Sequence, residues 1–215
     1  MTGYKGLSLS DKPFVNNEGR EFESFKERYF RLKVRALFET KQYKACVECA
    51  NQALATPLKW HYNALQWIKY YRGCALLELK EYDEAEKIYD KLINNDSKNA
   101  QYYILKGECL AKSGDAKAAV KVYEQGWNST NDTDFLEKIC EIYVEQKDYD
   151  NALKYIQKGI EQGGESKAGF MYGKIVIYEK AQEYDRAYEA AKKYVELYPD
   201  DEAGKKEYIF LSTRI

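Results

Sequence analysis

Tyr82-Asp83-Glu84-Ala85 returns as Tyr149-Asp150-Asn151-Ala152 and again as Tyr184-Asp185-Arg186-Ala187. A degenerate copy, Tyr43-Lys44-Ala45-Cys46, precedes them, and Ala116-Lys117-Ala118-Ala119 stands between the first two. The copies begin at 43, 82, 116, 149 and 184, which are 39, 34, 33 and 35 residues apart. A near-constant period of about 34 is the mark of a helical-repeat solenoid, whose units bury their apolar faces only against their neighbours.

The residues around these copies read as paired helices. Apolar positions recur three and four apart from Phe25 onward, as in Phe30, Val34 and Leu37, then Val47, Ala50 and Leu54. Short breakers divide the members of a pair: Lys41-Gln42, Lys80-Glu81, Ser113-Gly114-Asp115, Lys147-Asp148 and Gln182-Glu183. Longer ones, such as Thr56-Pro57, 94–99 and Pro199-Asp200-Asp201, divide the pairs, with Asp, Asn, Gly and Pro stopping one helix and capping the next. Residues 1–22 lack this period and read as an extended or disordered lead. Residues 202–215 read as a final capping helix.

Lys and Arg total 34 against 35 Asp and Glu, for a net charge of -1. So even a balance gives no electrostatic case for nucleic acid as the main partner. No apolar run approaches the roughly 18 residues of a membrane span, and the first 20 residues lack the apolar stretch of a secretory signal. The chain therefore reads as soluble and cytoplasmic. Of five cysteines, Cys46 and Cys49 form a lone C-x-x-C without a second pair, and His61 is the single histidine. Buried thiols are the expectation, with no metal site and no cofactor. No phosphate loop, nucleophile elbow or zinc-protease motif is present, so the reading is non-catalytic.

The spacing and the small-large alternation resemble the tetratricopeptide repeat (TPR) family, whose unit is an antiparallel helix pair, A and B, of 34 residues. With the motif tyrosine at repeat position 17, the small residue at position 20 is Cys46, Ala85, Ala119, Ala152 and Ala187. Position 8 is Val34, Gly73, Gly107, Cys140 and Ile175, and position 11 is Leu37, Leu76, Leu110, Tyr143 and Tyr178. Position 24, usually aromatic, is Ala50, Tyr89, Tyr123, Ile156 and Ala191. The resemblance implies an all-α, right-handed superhelical solenoid of about five helix pairs over 23–215. The repeats fall near 27–60, 66–99, 100–132, 133–166 and 168–201. The long first interval suggests that residues 58–65 lengthen the second helix A by a turn or more.

The resemblance also implies a concave groove lined by helix A. Carried over residue by residue, it offers Arg28, Arg31, Arg35 and Phe38, then Trp67, Tyr70 and Tyr71, then Ile104 and Glu108, then Glu137 and Tyr172. The three arginines, three and four apart, share a helix face. The reading is a protein-protein interaction module, an adaptor or scaffold, that binds a peptide or helical segment with an acidic end. The alternatives are a self-associating structural subunit and a nucleic-acid accessory acting through Arg28 to Arg35. The two-carboxylate clamp of chaperone-binding relatives is absent. Its positions hold Arg31, Arg35, Tyr71, Gln101 and Leu105.

Overall fold

The computed structural model describes residue 12, residues 14–15 and 21–22, and residues 24–215. The expected extended or disordered lead over 1–22 lies outside the described residues except at two short strands. These are β1 (Phe14–Val15) and β2 (Glu21–Phe22), which pair antiparallel with Phe14 opposite Phe22. The rest of the described chain is helical and falls into two compact units, one ending at Ser113 and one spanning Gly114–Ile215.

The first unit holds α1 (Phe25–Glu39), α2 (Tyr43–Ala55), α3 (Tyr62–Glu78), α4 (Tyr82–Asn95) and α5 (Ala100–Ser113). The second holds α6 (Ala116–Thr130), α7 (Asp134–Glu145), α8 (Tyr149–Gln162), α9 (Lys167–Lys180), α10 (Tyr184–Leu197) and α11 (Glu202–Leu211). In each unit consecutive helices pack on one another. Every B helix begins at the first residue of a motif copy: Tyr43, Tyr82, Ala116, Tyr149 and Tyr184.

The turn that precedes four of these starts has one construction. Lys41, Lys80, Lys147 and Gln182 each adopt a left-handed backbone, with φ between 59° and 65°. That conformation lets the next residue's N–H reach back to a carbonyl five residues earlier. Gln42 donates to Leu37 at 2.8 Å, Glu81 to Leu76 at 2.9 Å, Asp148 to Tyr143 at 2.8 Å and Glu183 to Tyr178 at 2.9 Å. These are Schellman closures, and the carbonyl they use belongs each time to the large residue at position 11.

The small residues sit where the alternation puts them. Cys46, Ala85, Ala119, Ala152 and Ala187 have no solvent exposure, and the position 8 residues are buried in each helix A. In the first pair the Cys46 thiol donates to the Val34 carbonyl at 3.4 Å across the A/B contact. In the second, a Cβ on Gly73 would lie 2.9 Å from the ring of Tyr89, which is fully buried. All five cysteines are free and buried; burial pushes the Cys46 thiol up to about 12.

The long first interval resolves into two parts. Tyr62–Leu65 add one turn to α3, as expected, but residues 58–61 stay outside the helix. They instead pass over the start of α1, where Ser24 and Glu27 form a capping box. The Glu27 carboxylate, 1% exposed, takes the Ser24 N–H at 2.8 Å and the His61 N–H at 2.6 Å, and lies 3.1 Å from His61 Nδ1. Burial opposes its ionisation. The two N–H groups and the His61 ring outweigh that and hold its pKa below the ordinary carboxylate value.

Candidate functional site

Rings from three A helices meet in the first unit. Tyr71 on α3 lies 5.4 Å from Phe38 on α1, 5.1 Å from Trp67 and 5.3 Å from Tyr70, centroid to centroid. Tyr70 in turn approaches Tyr102 on α5 at 6.2 Å. Each of these rings is only half-buried. Burial raises the phenol pKa of Tyr70 and of Tyr71, and the latter is also pulled down by Arg35 and up by Glu39. Both phenols therefore stay protonated near neutrality and can donate.

Tyr70 and Tyr71 form a wall shared by two open cavities. One, about 320 Å³, runs between α1, α3 and α5 over Phe38, Cys74, Leu77 and Leu105, and is edged by Glu39, Glu78 and Glu108. The other, about 380 Å³, is edged by the amides of Asn63, Gln66, Asn95, Asn99 and Gln101 and by the carboxylate of Asp96. Trp67 lines it, and the Trp67 indole N–H is buried without an acceptor. Side chains able to fix an extended chain thus surround an aromatic divide: five amides and Asp96 on one side, three glutamates on the other.

The expected residues divide in this unit. Phe38, Trp67, Tyr70, Tyr71 and Glu108 are brought together around the cavities. Ile104 is half-buried and lines neither. Arg28 and Arg35 are exposed and Arg31 half-buried, and no arginine lines either cavity. The Arg35 guanidinium is engaged along its own helix, Nε to Glu39 Oε1 at 2.6 Å. Glu39 and Glu78 were missed by the groove offsets. Both stand at repeat position 13, one turn beyond position 9 on the same face, so the i, i+4 spacing from Arg35 and Cys74 was the available signal.

Glu137 and Tyr172 belong to the second unit, on α7 and α9. Glu137 is exposed, and desolvation with the charges of Asp134 and Glu141 raises its pKa. The ring of Tyr172 packs edge-on against Tyr194 at 5.7 Å, beside the carboxylates of Glu207, Glu179 and Asp201.

A family model described as Tetratricopeptide repeat matches residues 26–213 of this chain. The chain belongs to the tetratricopeptide repeat family. Among TPR relatives, a TPR repeat-containing protein of Methanocaldococcus jannaschii is 25% identical over 163 residues. The match covers 76% of this chain and 28% of that protein, so this chain spans less than a third of its relative's length. Among solved structures, the C-terminal part of a TPR repeat-containing protein from Cytophaga hutchinsonii has a TM-score of 0.62 at 22% identity, covering 85% of this chain and 69% of that one. MamA 41-end from Desulfovibrio magneticus RS-1 has a TM-score of 0.59 at 16% identity, covering 82% and 97%. YrrB, described as a TPR protein with an unusual peptide-binding site, has a TM-score of 0.53 at 18% identity, covering 82% and 89%. At these identities the likeness is one of fold. The TPR fold in general is a scaffold for protein interaction. Among the described residues no helix is long and apolar enough to cross a membrane.

Proposed function

We propose that this TPR protein is a non-catalytic interaction module whose first unit takes an extended segment of a protein partner across Tyr70 and Tyr71. The observation that carries the reading is the pair of cavities that share those two rings as their wall. Half-buried aromatic side chains present a large contact area with little entropy left to lose, which is why such rings dominate binding energy. The amides of Gln66, Asn95 and Asn99 can pair with main-chain groups of a visiting strand. The Trp67 ring, which lines the amide-edged cavity, adds to the aromatic surface.

The charge of the segment follows from the rim. Glu39 is paired with Arg35 and Glu108 lies 4.0 Å from Lys112, so Glu78 is the rim carboxylate that favours Lys or Arg beside the aromatic contact. The acidic segment expected from the arginine face is not favoured at this place, because Arg35 is neutralised by Glu39 and the arginines lie outside both cavities. A TPR structure of similar fold, YrrB, is described as having a peptide-binding site, which makes peptide the first class to test.

The test is peptide selection on the intact chain from a random display library, followed by calorimetry of the selected peptides. Enrichment of Lys or Arg next to an apolar residue is expected. Tyr71→Ala should weaken the selected peptide by roughly 30-fold, about 2 kcal/mol. Acidic consensus peptides whose affinity Tyr71→Ala leaves unchanged would contradict the reading.

A further inference from the structure

The second unit contains a cavity that the repeat pattern itself explains. It opens between α8, α9 and α10 with a volume of about 460 Å³. Its inner surface is half-buried: Ile160, Met171, Lys174, Tyr178 and Ala190. Asp185, Arg186, Glu189 and Lys193 form an exposed rim.

One repeat earlier in the same unit the equivalent space is narrower, about 330 Å³ beside Glu124, Tyr143 and Tyr155. Trp127 stands at the place of Ile160, Tyr155 at that of Ala190, and Ile139, fully buried, at that of Lys174. There Lys158 lies over both rings, 5.3 Å from Trp127 and 4.5 Å from Tyr155. With an isoleucine and an alanine in place of the two rings, the cavity between α8, α9 and α10 is the larger, about 460 Å³ against about 330 Å³.

The same comparison exposes a missing charge. Lys106, the counterpart of Lys174 in the first unit, meets carboxylates on the preceding helix: Asp90 at 2.6 Å and Glu86 at 3.6 Å. At the places of Asp90 and Glu86, α8 carries Gln157 and Leu153. The ammonium of Lys174 has only the Tyr178 ring, 6.0 Å away. Of the rim cations, Arg186 is tied to Glu183 at 3.0 Å.

We infer that this cavity is a docking site for a partner segment that carries an aromatic side chain flanked by carboxylates. The ring replaces Trp127 and Tyr155, and a carboxylate replaces Asp90 beside a lysine otherwise left half-buried without a counter-ion. At the exposed rim Asp185 and Glu189 disfavour a carboxylate, so the carboxylate that selects is the one reaching Lys174 at the inner end. The site is independent of the one on the first unit.

The probe is a fluorescein-labelled peptide, Glu-Asp-Trp-Glu-Asp, titrated into the intact chain and followed by anisotropy. Two variants restore what the cavity lacks: Ala190→Tyr refills the ring, and Gln157→Asp returns the carboxylate to Lys174. Each should weaken binding tenfold or more, as should changing the peptide's tryptophan to alanine, while Tyr71→Ala leaves binding unchanged. The thermal midpoint of Ala190→Tyr should equal or exceed that of the unaltered protein. If that variant fails to fold, Gln157→Asp decides alone. The proposal is overturned if both folded variants bind as the unaltered chain does, if the alanine peptide binds equally well, if Tyr71→Ala abolishes binding, or if no saturation is reached by ~1 mM. Equal affinity for free 3-indolepropionate would mark a small-acid site and overturn the segment.

Discussion

Gly126 on α6 has no side chain, and the ring of Phe135 on α7 fills the space a Cβ would occupy, at 2.5 Å. Gly159 and Phe170 repeat the contact one repeat later in the same unit, also at 2.5 Å. Phe135 and Phe170 are almost wholly buried, so neither ring has room to retreat. Gly126→Ala is therefore expected to destabilise the protein by roughly 1–3 kcal/mol through overpacking, despite the better helix propensity of alanine. Urea unfolding measures it, and a gain in stability would contradict the packing described. The small residues at positions 8 and 20 were legible in the sequence because they recur at fixed offsets from the motif tyrosine. This glycine-ring contact was not, because it joins a B helix to the following helix and changes sides: the glycine is on the B helix at Gly126 and Gly159 but on the following helix at Gly204, against Tyr194.

At the level of elements, the repeat's turns are more uniform than their residues suggest. Lys41, Lys80, Lys147 and Gln182 look like generic polar breakers, yet all four take the left-handed conformation that glycine would adopt more easily. Sequence shows the break but not its backbone. The start of α1 teaches the same lesson. The first interval was recognisably long, but sequence could not tell added helix from a strap. Only the fold brings His61 to Glu27, 34 residues away. Because the folded pKa of Glu27 is lowered, its carboxylate stabilises the fold above the unfolded carboxylate value and loses that contribution as pH falls through the folded one. Glu27→Gln should lower stability at pH 7 by roughly 1–3 kcal/mol. The deficit should shrink as pH drops below about 4, where the unaltered protein protonates as well. Thermal melts of both proteins between pH 7 and pH 3 would show it. A deficit independent of pH would contradict the assignment.

For the whole chain, the period announced paired helices and the TPR family, and it placed all five B helix starts. The division at Ser113 and Gly114 was hidden, since the motif spacing runs through it at 34 and 33 without a change of composition. The candidate site was half legible. Helix A offsets found Phe38, Trp67, Tyr70, Tyr71 and Glu108, because a ring on the correct face of a correct helix is placed by periodicity alone. They also proposed an arginine face, of which Arg35 pairs with Glu39 through a side-chain choice that periodicity does not set. The amides at Asn95 and Asn99 come from a helix end and a loop, outside any helical offset. The central claim, that a partner segment lies against the Tyr70–Tyr71 wall, rests on residues with a direct reporter among them. The chain has three tryptophans, Trp60, Trp67 and Trp127, and therefore three indole N–H signals in a nitrogen-proton correlation spectrum. On titration with a peptide selected by the intact chain, the Trp67 signal should shift as the segment covers the ring lining the cavity, while those of Trp60 and Trp127 stay in place. A Trp67 signal unmoved at saturation would contradict the claim.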